Sequence, residues 1–130
     1  MTHPRKKQTR ASLRQLSRLR RFCRSLPGTA EVEAWGEPTF RYKNKMYAMF
    51  ASPGTHHGEG RTAVWIKSQA AERDLLVTAA PGQYFVPAYM GPSGWIGAYL
   101  DEKTNWVELE NLLREGHRLL GEKKPRKPQA

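Results

Sequence analysis

Apolar residues recur at helical spacing from about Thr9 to Leu26, and they predict a first helix. At 100° per residue, the apolar and the basic positions fall on opposite sides of this helix. The apolar arc holds Leu16, Leu19, Phe22, Cys23 and Leu26. The opposite arc holds Arg10, Arg14, Ser17, Arg21 and Arg24. Because Pro27-Gly28 follows, we expect the helix to end there.

Alternation of apolar and polar residues predicts strands in the next part of the chain. Thr39–Phe50 is typical of a hairpin that turns at Asn44-Lys45, because asparagine tolerates the positive φ of such a turn. Thr62–Lys67 predicts a third strand, and Glu31 and Glu33 indicate an acidic turn before the hairpin. In the expected register, one sheet face carries Phe40, Tyr42, Tyr47 and Met49, and the other carries Arg41, Lys43, Met46 and Ala48.

The second half of the chain predicts a helix, a hairpin and a last helix. Ser68 is placed to cap a helix that runs to about Ala80. We expect this helix to turn three residues inward: Leu75, Leu76 and Ala79. Tyr84–Ala88 and Trp95–Leu100 predict two strands, and Thr104 is placed to cap the last helix. The order α-β-β-β-α-β-β-α predicts a two-layer α+β domain over residues 9–120, with helices on one face of a mostly antiparallel five-stranded sheet.

Charge is concentrated at the two ends of this 130-residue chain, which has a net charge of +10. Residues 1–24 carry nine bases and no acid, and residues 121–130 carry four bases and one acid. We expect residues 1–8 and 121–130 to be disordered basic segments. A single cysteine excludes an internal disulfide and fits a reducing cytosol, and the apolar runs are too short to span a bilayer. We therefore expect a soluble cytoplasmic protein with no membrane partner.

Six short motifs follow one another along residues 13–120. They are Leu26-Pro27-Gly28, Trp35-Gly36-x-Pro38-x-Phe40, Lys45-Met46-Tyr47-Ala48, Ile66-Lys67, Pro87-x-Tyr89-x-Gly91-x-x-Gly94-Trp95 and Trp106-x-Glu108-Leu109. In this order and spacing they resemble the MmcQ/YjbR family, small bacterial proteins often labelled DNA-binding. The resemblance implies an α-β(3)-α-β(2)-α two-layer fold similar to that of secretion chaperones, and a double-wing DNA-binding role.

Two kinds of side chain are candidates for nucleic-acid contacts. If helices cover one sheet face, Trp65, Trp95 and Tyr99 share the other, where exposed aromatics stack on bases at ~1–3 kcal/mol per base. Alternatively, loops, the first helix or a second subunit cover them. Lys67 precedes a predicted helix N-terminus, a favourable place for an anion, although a solvated strand-end lysine is the plainer interpretation. The candidate residues are Arg10, Arg14, Arg21, Arg24, Arg41, Lys45, Lys67, Tyr89, Trp95 and Tyr99.

Patterns typical of catalysis or metal binding are weak. His56-His57-Gly58-Glu59 contains metal-ligand residue types, but adjacent histidines in an extended loop point apart and no second cluster completes a site. Serine, histidine and aspartate occur outside any nucleophile-elbow or paired-carboxylate pattern. We therefore expect no catalytic residue, metal or cofactor, and a non-enzymatic protein that binds nucleic acid, most simply DNA. The alternatives are a protein-interaction module, for example a homodimer across the aromatic sheet face, and a small-molecule site under the Tyr84–Trp95 loop.

Overall fold

The computed structural model describes residues 9–53 and 60–121. The predicted basic segment 1–8, residues 122–130 of the predicted segment 121–130, and the His56-His57-Gly58-Glu59 motif therefore lie outside the described residues. Gly121, which we expected in the disordered tail, is the last residue of the last helix. The described part of the chain contains three α-helices and six strands, in the order α-β-β-β-β-α-β-β-α. The helices are α1 (Arg10–Ser25), α2 (Ala70–Ala79) and α3 (Trp106–Gly121). The strands are β1 (Thr29–Ala34), β2 (Glu37–Tyr42), β3 (Lys45–Ala51), β4 (Ala63–Ile66), β5 (Tyr84–Phe85) and β6 (Ile96–Tyr99).

The strands form one sheet in the order β1-β2-β3-β4-β6-β5, and every neighbouring pair is antiparallel. Apolar residues of α1 and α3, such as Leu19 and Leu113, share one buried cluster with sheet residues such as Phe40 and Ile66. The opposite sheet face holds a second, smaller cluster around Trp65. The predicted two-layer α+β class is therefore confirmed.

The sheet has six strands rather than five, because the predicted acidic turn at Glu31 and Glu33 is wrong. Both glutamates lie in β1, where Glu31 pairs with Phe40 and Glu33 pairs with Pro38 of β2. β1 is an edge strand in which five of the six residues are polar or alanine, so its composition does not show the apolar alternation of an inner strand. Pairing with β2 makes it a strand.

The β2–β3 hairpin departs from the predicted register at a bulge. Its turn lies at Lys43 and Asn44, which both have positive φ, and the pairing shifts between Phe40 and Arg41. Because the shift leaves Tyr47 as an extra residue on β3, strand alternation reverses there. Phe40, Tyr42 and Tyr47 share one sheet face as predicted, and this face packs against the helices. Met49 and Ala48 exchange faces: Met49 belongs to the outer cluster and Ala48 to the core.

Helix α2 also begins and packs differently from the prediction. Its N-cap is Gln69, and the Ser68 hydroxyl is buried with no hydrogen-bond partner among the described residues. Leu76 and Val77 contact the core as partly buried residues. The prediction for Leu75 and Ala79 is wrong, because both side chains are exposed. The helix instead buries Arg73, which redirects its inward face toward the loop before β6.

Among the residues that the structure describes, no helix is both long and apolar enough to cross a membrane.

Candidate functional site

Helix α1 presents a row of arginines to solvent. Its first turn is closed by Thr9, whose hydroxyl accepts a hydrogen bond from the Ser12 amide at 3.0 Å. Arg10, Arg14 and Arg21 are exposed, and within residues 9–53 and 60–121 no acidic side chain pairs with them. We call these three residues the arginine row. The helix thus places three uncompensated positive charges on one side of the molecule.

The other arginines of α1 are engaged by neighbouring elements. Arg20 donates two hydrogen bonds to Glu31 of β1, at 2.7 and 2.9 Å, and the hydrogen bond to this carboxylate raises the pKa of Arg20. Arg24 reaches the same carboxylate at 3.5 Å. The guanidinium of Arg18 lies 4.4 Å from the centre of the Trp106 ring. Arg24 is one of the four residues of α1 predicted to contact nucleic acid, and its charge is partly neutralised by Glu31.

The predicted aromatic residues do share the outer sheet face, but the two tryptophans are covered. Trp65 and Trp95 are each only 4% exposed, because partly buried side chains such as Met46 and Met90 pack over their cluster. A buried ring cannot stack on a base, so the structure favours the interpretation in which the chain's own loops cover this face. Tyr99 is half-buried and stacks on Phe85 with 4.6 Å between ring centres.

The remaining basic candidates do not converge. Lys45 is exposed at the start of β3. Lys67 is half-buried, its amide donates to the Tyr47 carbonyl at 2.8 Å, and it lies two residues before the N-cap of α2 rather than at the helix terminus. Arg41 stands on the outer sheet face directly across from Met46. The arginine row and the outer-face candidates Arg41, Tyr89 and Tyr99 therefore lie on opposite sides of the sheet.

A cleft opens on the outer sheet face, and we call it the outer cleft. Its volume is about 370 Å³. Its lining residues are Trp35, Met46, Met49, Trp65, Tyr89 and Met90. Of these, the sequence analysis singled out Tyr89 as a contact residue and Trp65 as an aromatic of this sheet face. Trp35 and Tyr89 belong to two of the family motifs, and this membership was the signal in the sequence that could have identified them as site residues. The methionines show no pattern of their own that indicates a site.

Trp35 and Tyr89 border the outer cleft in an unusual backbone conformation. Both have positive φ, 56° and 65°, and both are largely exposed, at 66% and 82%. Bulky residues rarely adopt this conformation, which costs roughly 1–2 kcal/mol per residue. In the two-residue turn between β1 and β2, Trp35 and Gly36 both have positive φ, a turn type in which Asn-Gly is preferred. The fold thus holds two exposed rings at some energetic cost.

Arg73 anchors the loop that carries Tyr89. Its Nη1 donates to the carbonyl oxygens of Gly91 at 2.6 Å and Trp95 at 3.5 Å, and its Nε pairs with Asp74. Gly94 has a φ of 84°, and a Cβ there would lie 3.0 Å from the Ser68 carbonyl oxygen and from the Ala70 amide nitrogen, at the start of α2. The loop is therefore fixed against the start of α2, a role for Arg73 that its sequence context does not indicate.

The last helix contacts the α1–β1 turn through His117. Its Nε2 donates to the Pro27 carbonyl at 2.6 Å, and its ring packs on Tyr42 with 4.7 Å between ring centres. These contacts are structural. Across the described part of the chain, no group of three or more metal-ligand side chains comes together.

The fold is that of a small two-layer α+β domain. The YjbR family model matches residues 24–119, and the chain belongs to the YjbR family. A solved structure, that of Deinococcus radiodurans protein DR2400 with a DUF419 domain, superposes with a TM-score of 0.71 at 21% identity, covering 83% of this chain and 79% of that one. At this identity the likeness concerns the fold alone. No curated protein matches the sequence.

Proposed function

We propose that this protein is a non-enzymatic nucleic-acid-binding protein of the bacterial cytoplasm, which contacts the phosphates of DNA through the arginine row of α1. The observation that supports this proposal is the exposure of Arg10, Arg14 and Arg21 on one helix without acidic partners in the described part of the chain. The nine bases and no acids of residues 1–24 add to the same positive field. The family match begins at residue 24, so the proposal rests on this chain's own residues.

The row suits contact with a phosphate backbone rather than with bases. Arg10 and Arg21 are eleven residues apart, which is about 16 Å along a helix that rises 1.5 Å per residue. Phosphates follow each other about every 3.4 Å of duplex axis on each strand, so this row spans roughly five base pairs. Because Trp95 is buried, base stacking on it supplies no sequence preference. We therefore expect binding that tolerates many DNA sequences.

The first prediction concerns salt dependence. The double variant Arg14→Gln/Arg21→Gln should make the negative slope of log K against log salt shallower by about 1.8, because each lost phosphate contact removes about 0.9 from its magnitude. Fluorescence anisotropy of a labelled duplex between 50 and 200 mM salt, a range typical for such slopes, gives the measurement.

The matched control is Lys43→Gln/Lys103→Gln, which removes the same charge from two exposed lysines outside α1. Its slope should stay close to that of the unmodified protein. Equal slopes for both double variants, or a slope near zero before any substitution, would contradict the proposal.

A further inference from the structure

We propose that the outer cleft binds a small planar aromatic anion, such as an aromatic carboxylate, with its ring system between Trp35 and Tyr89 and its anionic group at Arg41. This inference is independent of the proposed nucleic-acid contact, which lies on the other side of the sheet. It concerns a face for which the family match and the solved structure indicate no ligand.

The size and walls of the cleft suit a small molecule. A volume of about 370 Å³ lies within the roughly 300–1,000 Å³ of small-molecule sites. The floor is part of the sheet, because Met49 of β3 is paired with Trp65 of β4. Met46 and Met90 complete an apolar lining. The cleft is therefore supported by a rigid element rather than by loops alone.

The lining favours an aromatic ligand over an aliphatic one. Trp35, Trp65 and Tyr89 offer ring faces and edges, which gain about 0.5–1.5 kcal/mol per aromatic pair beyond burial of area. The thioethers of Met46 and Met49 add favourable sulfur contacts to an aromatic ring. An aliphatic ligand of equal volume would gain only the burial.

The strained positions of Trp35 and Tyr89 also indicate a site. Two large rings that are 66% and 82% exposed at positive φ contribute little to the stability of the free fold. Backbone strain of this kind persists where surrounding structure enforces it, and it clusters at ligand clamps. Here the β1–β2 turn enforces it for Trp35, and Arg73 holds the loop that carries Tyr89.

Arg41 provides the charge complementarity. Its Nε donates to the Thr39 hydroxyl at 3.1 Å, and among the described residues no carboxylate pairs with its guanidinium. Thr39 and Arg41 stand across from Met49 and Met46, two floor residues of the cleft. A half-buried, uncompensated guanidinium beside the cleft favours an anion, which it can bind through two parallel hydrogen bonds. The described lining contains no carboxylate that would attract a cation.

The test uses three ligands that share one ring system and differ in charge: 2-naphthoate, 2-naphthalenemethanol and 2-naphthylmethylammonium. Each is titrated into the full chain by isothermal calorimetry. We expect 2-naphthoate to bind about tenfold more tightly than the neutral alcohol, as one charge-assisted contact allows, and the cation to bind most weakly. Arg41→Gln should make naphthoate and alcohol bind equally while leaving the affinity for the alcohol unchanged.

Arg61→Gln is the matched control, because Arg61 also lies on the outer face, over the Tyr99 ring at 3.4 Å, and is outside the cleft lining. It should leave the tenfold ratio intact. Tyr89→Ala should weaken the binding of all three ligands about tenfold. It should not lower the melting temperature of the protein, since the Tyr89 ring is exposed.

Three outcomes would overturn the inference. In the first, none of the three ligands shows saturable binding. In the second, the unmodified protein binds the anion and the alcohol with equal affinity. In the third, the tenfold ratio of the two affinities is unchanged in Arg41→Gln. A concentration-dependent dimer in sedimentation, with ligand binding lost as the dimer forms, would assign the cleft to a second copy of this chain instead. The DNA titrations of the arginine-row variants are unaffected by any of these results, so the two proposals can fail separately.

Discussion

Cys23 and Tyr47 show how burial changes the chemistry of single side chains. Both are fully buried between α1 and the sheet. The Tyr47 hydroxyl shares a hydrogen bond with the Thr29 hydroxyl at 2.8 Å and donates to the Cys23 carbonyl at 3.4 Å. Burial raises the pKa of the Cys23 thiol to about 12, and burial is also the main cause of a raised pKa for Tyr47. The free cysteine is therefore a core residue and not a reactive thiol.

These two groups predict a loss of stability at high pH. Because each pKa is higher in the folded than in the unfolded state, their contribution is complete below the unfolded values, near 8.5 for cysteine and 10 for tyrosine. It declines as pH rises above them, since the unfolded chain then releases protons that the folded chain retains. The free energy of unfolding by urea should fall from about pH 8.5 because of Cys23, and more steeply above about pH 10, where Tyr47 also contributes.

The variants Cys23→Ala and Tyr47→Phe remove the titrating groups in turn. Each should lower stability at pH 7 by leaving a small cavity or an unpaired hydroxyl, and each should flatten the decline with pH. A decline that is unchanged in the double variant would show that other groups cause it.

In the elements that border the outer cleft, locally unfavourable features place side chains at the cleft. In the β1–β2 turn, Trp35 occupies the place that asparagine prefers. The β-bulge at Tyr47 also positions a cleft residue, because it moves Met49 from the helix side of the sheet to the cleft floor. In α2, burial of Arg73 rather than an apolar residue fixes the loop of Tyr89.

Trp35→Asn should therefore raise the free energy of unfolding by about 0.5–1 kcal/mol, because asparagine tolerates positive φ. The same change should weaken binding of 2-naphthoate. Trp35→Ala is the control, since it removes the same ring but leaves the strained backbone, and it should be less stable than Trp35→Asn. If the two variants have equal midpoints in urea, backbone strain at this turn is not significant.

Arg73→Met should destabilise the domain by about 1–3 kcal/mol, because it leaves the carbonyls of Gly91 and Trp95 without this donor. It should also weaken ligand binding in the outer cleft, as the loop of Tyr89 loses its anchor. Urea unfolding and the naphthoate titration measure both effects. Arg114→Met, which removes an exposed arginine that lies 5.1 Å from the Phe22 ring centre, should have a much smaller effect on each.

The sheet divides the whole molecule into two differently built surfaces. Helices α1 and α3 pack on one side, where α1 presents the arginine row to solvent, and the other side holds the outer cleft. A single straight ligand cannot contact both sides. The sequence predicts that basic and aromatic residues contact one nucleic acid, whereas the structure places these two sets on opposite sides of the sheet and leads to two independent proposals.

Local sequence patterns are sufficient to predict the class of fold and to separate the apolar side of α1 from its basic side. The spacing of Leu16, Leu19 and Cys23 against Arg10, Arg14 and Arg21 is a property of the helix alone, so the sequence determines it. The alternation that separates Trp65 from Val64 and Ile66 is likewise local. The family motifs and the α+β class follow from the same short-range information.

Only the tertiary structure decided which outer-face residues are exposed and which form a site. Trp65 and Trp95 are covered because Met46 of β3 and Met90, in the loop that Arg73 fixes, pack against their cluster. β1 is a strand because β2 pairs with it, and Met49 reaches the cleft because of a bulge. Each of these depends on how one strand or loop packs against another, and such packing leaves no periodic signal within a single segment of the sequence.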